Sequence, residues 1–126
     1  MLVFIGACSS NSSDNKDKDA KGAAPAATAP AADAISSNPD YQKGLEAISK
    51  SDCLTCHRID EKLTGPSYRE VANKYAGMPD TIINHLAGKI LHGGGGVWGE
   101  IPMVGHPALS KEEAKIMVKY ILLLKK

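Results

Sequence analysis

The sequence predicts an all-α domain built from four short helices and long loops. Three observations support this fold class. Apolar residues recur with helical spacing in four separate segments, two of these begin with a helix-capping sequence, and no segment is convincing as a strand. The chain has 126 residues, enough for one domain. Its formal net charge of +1 gives no argument for nucleic-acid binding.

The first two helices are predicted from an apolar face and from their caps. The first begins at Pro39, which suits the first helical position, with Asn38 before it as the cap. Its apolar face repeats at i, i+3, i+4 and i+7 and comprises Tyr41, Gly44, Leu45 and Ile48. The second helix starts at the capping box Ser67-Tyr68-Arg69-Glu70, and Gly77 closes the segment.

The last two helices follow the same logic. The third is predicted to start around Pro79-Asp80 and to end at the glycine run 93–96. Its broad apolar stripe comprises Ile82, Ile83, Leu86, Ala87, Ile90 and Leu91. The fourth starts at a second capping box, Ser110-Lys111-Glu112-Glu113, and is amphipathic as far as Leu122.

The segment Cys53-Leu54-Thr55-Cys56-His57 carries the chemistry of the chain, because it reads C-x-x-C-H. This is the attachment signature of a c-type haem. Two thiols at this spacing form thioethers with the two vinyl groups of one haem, and the following histidine becomes an axial iron ligand. We therefore predict one covalent haem c, attached through Cys53 and Cys56. Because about 90 residues with short helices make a thin core, we also expect the domain to fold poorly without it.

Two other uses of a C-x-x-C pair need to be considered. A redox dithiol would lie beside a βαβ unit, and no such pattern occurs here. A zinc site would need a second ligand pair. His85 and His92, seven residues apart, leave that possibility open.

The other axial position has several candidates, which are Met78, Met103, Met117, His85, His92 and His106. Met117 falls on the apolar face of the last helix, where core packing is its expected role. Met103 follows Pro102 in an irregular segment rich in glycine and proline, and such a loop can wrap the far face of the ring. We predict His57 and Met103 as the two metal ligands, with His106 as the main rival.

The N-terminal third of the chain has the composition of a tether. Residues 9–35 contain almost nothing large and apolar, so they cannot offset their own ordering entropy. Residues 2–7 lead into Cys8 and resemble the end of a bacterial lipoprotein signal, although the basic region is missing and the apolar stretch is short. We predict a signal or lipid-attachment remnant at 1–8 with Cys8 lipidated, a disordered tether at 9–37, and the haem domain at 38–126. The alternative for Cys8 is a free thiol.

Taken together, the folded part resembles the small class I bacterial cytochromes c, the short-chain monohaem group with Met/His ligation. The resemblance covers about residues 38–126. It is carried by C-x-x-C-H at 53–57, by Gly65-Pro66-Ser67-Tyr68, and by the run from Gly93 through Val97-Trp98-Gly99-Glu100-Ile101-Pro102-Met103. It implies the cytochrome c fold, with the four helices and long loops wrapped around the haem.

The resemblance also implies roles for single residues. The carbonyl of Pro66 would accept a hydrogen bond from Nδ1–H of His57. The indole N–H of Trp98 would donate to a haem propionate, against simple packing as the alternative. Gly44 and Tyr120 match the close crossing of the first and last helices. Val104-Gly105-His106-Pro107 stands where many relatives have prolines and an asparagine that often hydrogen-bonds the methionine sulfur. Either His106 takes the place of that asparagine or nothing does, so the tuning of the reduction potential does not carry over.

The resemblance implies one-electron transfer between redox proteins or membrane electron-transfer complexes outside the cytoplasm. We expect a monomer, held at the membrane by the lipidated Cys8. The alternative function is a haem-based gas sensor or ligand binder, in which Met103 leaves the iron. We find no paired carboxylates, nucleophile–base pair or phosphate-binding loop to support an enzyme.

Overall fold

The computed structural model describes residues 34–126. Cys8, the predicted attachment segment and residues 9–33 of the predicted tether lie outside the described residues. Residues 34–36 form a helical turn, and the backbone N–H of Asn38 donates to the carbonyl of Ile35 at 3.0 Å. No helix in the described part of the chain has the length and apolar character needed to cross a membrane.

Four α-helices carry the described residues, as the sequence predicted. They are α1 (Pro39–Ser49), α2 (Tyr68–Lys74), α3 (Thr81–His92) and α4 (Lys111–Leu123), and a short 3-10 helix spans Cys53–Thr55. Asn38 caps α1 through its side-chain oxygen, and Pro39 occupies the first turn. Both predicted capping boxes are present at Ser67 and Ser110. The helix α3 starts at Thr81, slightly later than predicted, and Asp80 makes no side-chain cap bond.

The helix α4 is the centre of the packing, since α1, α2 and α3 all lie against it. The buried core comprises Ile48, Tyr68, Ala72, Ala87, Ile90, Ala114, Met117, Val118, Tyr120 and Leu124. The predicted close crossing of α1 and α4 is confirmed. A Cβ on Gly44 would overlap the Cβ of Tyr120 and would lie 2.7 Å from the carbonyl oxygen of Ile116. Leu45, placed on the apolar face of α1 by its spacing, is instead 42% exposed.

The glycine-rich segment contains a small hairpin, so the prediction of no strand was wrong at this place. Strands β1 (Gly94–Gly96) and β2 (Gly99–Met103) pair antiparallel, with Gly94 opposite Met103 and Gly96 opposite Gly99. Gly94, Gly96 and Gly99 have φ values of 113°, 107° and 125°, which side chains rarely permit. Because a run of glycines has no side chains to alternate, the sequence pattern could not reveal this strand.

Candidate haem site

A cleft of about 480 Å³ opens between the segment after α1, the end of α2, α3, the hairpin and α4. This volume falls within the range of about 300–1,000 Å³ that is typical of small-molecule and cofactor sites. Its lining is mainly apolar and includes Val71, Leu86, Ile90, Val97, Ile101, Val118 and Ile121. Every residue predicted at 53–126 to contact the haem lines it, namely Cys53, Cys56, His57, Pro66, Trp98 and Met103.

One wall of the cleft carries the attachment motif. The 3-10 helix at Cys53–Thr55 turns the chain so that the N–H groups of Cys56 and His57 both donate to the carbonyl of Cys53, at 3.2 and 3.0 Å. This tight turn brings both thiols and the imidazole to the same cleft. Cys53 is half-buried, and its burial raises the pKa of its thiol above the ordinary value.

The imidazole of His57 is held by the segment that leads into α2. Its Nδ1 lies 2.7 Å from the carbonyl oxygen of Pro66. Because a carbonyl can only accept, Nδ1 carries the proton, and Nε2 is the nitrogen with a lone pair to offer. Gly65 lies against the ring edge, where a Cβ would come 2.6 Å from Cε1 of His57. The wall therefore fixes both the tautomer and the position of this side chain.

A backbone ladder holds these two segments together. The N–H of Gly65 donates to the carbonyl of Cys56 at 2.8 Å, and the N–H of Tyr68 donates to the carbonyl of Arg58 at 2.9 Å. The guanidinium of Arg69 then joins the carboxylate of Asp60 to the carbonyl of Leu124, just beyond the end of α4. The wall is thus tied to the last helix as well as to α2.

The other wall comes from the hairpin and the loop that follows it. Met103 ends β2, is half-buried and packs against the core cluster. The loop is attached to the end of α3, because the N–H of His106 donates to the carbonyl of Ile90 at 2.8 Å. Nδ1 of His106 lies 3.7 Å from a carboxylate oxygen of Asp52, beside the attachment turn.

The structure separates the six candidates for the second axial ligand. Met103, His85 and His106 line the cleft, whereas Met78, Met117 and His92 do not. Met78 is 52% exposed, and Met117 is a buried core residue as predicted. Within residues 34–126, no three His, Cys, Asp or Glu side chains gather in a group that could hold a metal ion without a cofactor.

Basic side chains near Trp98 were missed by the sequence reasoning. Trp98 is half-buried in the turn of the hairpin, and Nζ of Lys74 lies 5.4 Å from the centre of its ring, in cation–π range. Lys89 of α3 also lines the cleft. The only signal in the sequence was the position of Lys74 and Lys89 in the last turns of α2 and α3, where lysine also suits the helix dipole.

The donor set fits a covalently attached haem. Two free thiols, an imidazole with an available Nε2, a thioether sulfur and an indole N–H share one mainly apolar cleft. The sulfur and nitrogen atoms are the kinds of ligand that iron takes in c-type cytochromes.

The comparison with protein families decides the assignment. The model of the family described as cytochrome c matches residues 41–125, which is most of the chain. The chain belongs to the cytochrome c family. It therefore carries one covalently bound c-type haem, attached through two cysteines, and Cys53 and Cys56 are the two in the described residues.

Individual relatives agree with the family match. The chain is 46% identical over 81 residues to cytochrome c-551 of Azotobacter vinelandii, an alignment covering 64% of this chain and 96% of that protein. It is 45% identical over 80 residues to cytochrome c-552 of Hydrogenobacter thermophilus, covering 64% and 80%. The crystal structure of wild-type Nitrosomonas europaea cytochrome c552 matches with a TM-score of 0.61 and 40% identity, covering 64% of this chain and 99% of that one.

These matches confirm the predicted small class I monohaem cytochrome c and its fold. The chain functions in electron transfer through its haem. When bound, the haem supplies one-electron exchange between ferric and ferrous iron.

Proposed function

We propose that this electron carrier binds its iron through His57 on one side and Met103 on the other. The observation that carries the proposal is the placement of both side chains on one cleft, on segments that are anchored independently. Nδ1 of His57 is occupied by the Pro66 carbonyl at 2.7 Å, which leaves Nε2 for the metal. Met103 is half-buried at the end of β2, where the backbone pairing with Gly94 fixes its position.

Met103 is the best of the three remaining candidates for chemical reasons. A thioether favours ferrous iron, so His/Met ligation raises the reduction potential. Nδ1 of His106 already lies 3.7 Å from a carboxylate oxygen of Asp52, outside the hairpin. His85 is exposed on α3, so binding the iron would remove its polar ring from water at a cost in free energy.

Pro66 and Trp98 complete the proposed site. Pro66 acts on the iron through His57, because the hydrogen bond from Nδ1–H to its carbonyl makes Nε2 a stronger electron-pair donor to the metal. Trp98 offers one donor, its indole N–H, and Lys74 stacked on its ring adds positive charge. We propose that this N–H, supported by Lys74, binds a haem propionate.

Carbon monoxide binding tests the ligation. With both axial positions filled, the reduced wild-type protein should titrate reversibly with one electron and should not bind carbon monoxide at neutral pH. The Met103→Ala variant should bind it readily. A wild-type protein that binds carbon monoxide as readily as the variant would remove Met103 from the iron and favour a ligand-binding function.

We further propose that the domain works outside the cytoplasm, held at the membrane by a lipid on Cys8 and a tether over residues 9–37, with the haem domain at 38–126. Covalent haem of this type is assembled outside the cytoplasm, and a polar, proline-containing tail suits an anchor. A tethered carrier gains effective concentration near membrane partners without new contacts. We propose a monomer that makes small, transient contacts with redox proteins and is not itself an enzyme.

Intact mass of the mature protein tests the anchor. We expect a diacyl or triacyl mass increment on Cys8 and recovery of the protein in the membrane fraction. The Cys8→Ser variant should be recovered in the soluble fraction with its haem still attached. An unmodified, soluble wild-type protein would contradict the anchor while leaving the haem site untouched.

A further inference from the structure

Tyr68 has contacts that its place in a helix-capping box does not require. It is the first residue of α2 and is only 3% exposed. Its ring stacks on the imidazole of His57, with ring centroids 5.4 Å apart and an angle of 23° between the planes. Near-parallel rings at this distance make an offset-stacked pair, which limits rotation of the imidazole.

The hydroxyl of Tyr68 reaches the other part of the attachment motif. It lies within interaction range of the Cys53 side chain. Once this cysteine is a thioether, its sulfur has no proton and can only accept, so in a hydrogen bond between the two side chains the tyrosine O–H is the donor.

Tyr68 is itself rigidly held, which is what a positioning role demands. Its N–H donates to the carbonyl of Arg58 at 2.9 Å, in the ladder beside the attachment motif. On its far side the ring meets Tyr120 of α4 edge-on, with centroids 6.4 Å apart. The orientation of this ring is therefore set by α2 and α4 before any cofactor contact is considered.

We propose that Tyr68 is a positioning residue for the haem, acting at two points. Its ring fixes the plane of the His57 imidazole, together with the Pro66 carbonyl, and its hydroxyl donates to the Cys53 sulfur that attaches the haem. The inference rests on the proposed ligation of iron by His57. It adds to that proposal one residue, Tyr68, that acts on both the His57 imidazole and the Cys53 sulfur.

Two substitutions separate the two contacts. Tyr68→Phe keeps the ring and removes the donor, whereas Tyr68→Leu removes both. Ile48→Ala is the matched control, because Ile48 is 2% exposed, lies in the same core and does not line the cleft. All three are made as the haem-containing full chain.

The decisive readout is the proton NMR spectrum of the oxidised protein, whose hyperfine-shifted haem methyl signals depend on the orientation of the axial imidazole. We expect Tyr68→Phe to keep the wild-type pattern and to lower the reduction potential, since a donor to the sulfur withdraws electron density and favours ferrous iron. Tyr68→Leu should change the order or spread of the methyl signals. Ile48→Ala should lower the melting temperature and keep the wild-type pattern.

A purely structural role for Tyr68 would give a different result. In that case Tyr68→Leu would behave like Ile48→Ala, with a lower melting temperature and unchanged methyl signals, and Tyr68→Phe would keep the wild-type potential. Either result would overturn the corresponding half of the proposal. If the wild-type protein itself lacked His57 ligation, the hyperfine-shifted signals of an iron-bound imidazole would be missing, and that outcome identifies a failure of the underlying site instead.

Discussion

The two walls of the haem cleft are built by different physical means. The His57 wall is held by side-chain and backbone hydrogen bonds, and Pro66, Ser67 and Tyr68 are consecutive buried residues behind it. The Met103 wall is a glycine hairpin, in which positive φ values at Gly94, Gly96 and Gly99 define the backbone. None of residues 94–106 is buried, since each is exposed or half-buried.

This difference assigns different tasks to the two walls. The His57 wall is preorganised, because the protein fixes the tautomer and packing of the imidazole through Pro66 and Gly65. The Met103 wall supplies a sulfur from a backbone hairpin in which residues 94–106 are all exposed or half-buried. Changes on the first wall should therefore affect folding and haem geometry together, whereas changes on the second should affect the reduction potential with little cost in stability.

Removing the sulfur from the second wall should give the largest functional effect. Met103→Ala should lower the reduction potential by at least about 0.1 V, a modest part of the roughly 0.8 V that axial ligands span. Potentiometric titration measures it. Met78→Ala is the control, since Met78 is 52% exposed and lies outside the cleft, and its potential should equal that of wild type.

Adding one methyl group to each wall tests the comparison directly. In Gly65→Ala the new Cβ would lie 2.6 Å from His57 Cε1, so we expect a loss of about 1–3 kcal/mol in the free energy of unfolding and a disturbed haem spectrum. In Gly95→Ala the nearest atom would be 3.4 Å away, and Gly95 has no positive φ. Chemical denaturation should show Gly95→Ala within about 0.5 kcal/mol of wild type. Equal losses in both variants would refute the difference between the walls.

The two capping boxes allow a smaller, matched test. Ser67→Ala and Ser110→Ala each remove one helix-capping hydroxyl and should each cost about 1 kcal/mol in stability. Only Ser67 is buried beside the His57 wall, between Pro66 and Tyr68. We therefore expect a shift in the haem absorption bands for Ser67→Ala alone. Identical haem absorption spectra for both variants would contradict this expectation, because they would show that losing the Ser67 cap does not disturb the His57 wall.

The smallest predicted effect is on the melting temperature at acid pH. The backbone N–H groups of Ser67 and Ser110 hold the pKa of Glu70 and Glu113 below the usual value of 4.5. Because the folded-state pKa is the lower one, this stabilisation is present above about pH 4.5 and is lost as the pH falls through the folded-state pKa. The melting temperature of Glu113→Gln should thus fall less steeply with acid than that of wild type. Parallel curves for the two proteins below pH 4.5 would contradict the assignment.

The sequence predicted the helices well because their signals are local. Asn38, Ser67 and Ser110 each mark a helix start by hydrogen bonding within three residues, and all three caps are present. The hairpin was missed because backbone pairing of glycines leaves no pattern in side chains. Leu45 is exposed although its spacing matches the buried face, since the buried residues of α1 are Gly44 and Ile48, and Tyr41 is the residue whose ring contacts Tyr120 of α4.

The site was predicted less completely than the fold. The motif at 53–57 identified the haem attachment, because the chemistry needs those residues at that spacing. The six candidates for the second ligand were reduced to three only by knowing which side chains share the cleft. The stacking of Tyr68 on His57 joins residues eleven positions apart through tertiary packing, and no periodicity could indicate it.

The central claim is that the His57 imidazole and the Met103 sulfur are both ligands of one iron. The most direct measurement is the near-infrared absorption spectrum of the oxidised protein, where a thioether ligand gives a sulfur-to-iron charge-transfer band. We expect this band in the wild-type protein and its loss in Met103→Ala. A wild-type spectrum without the band, or a band that persists in the variant, would contradict the claim.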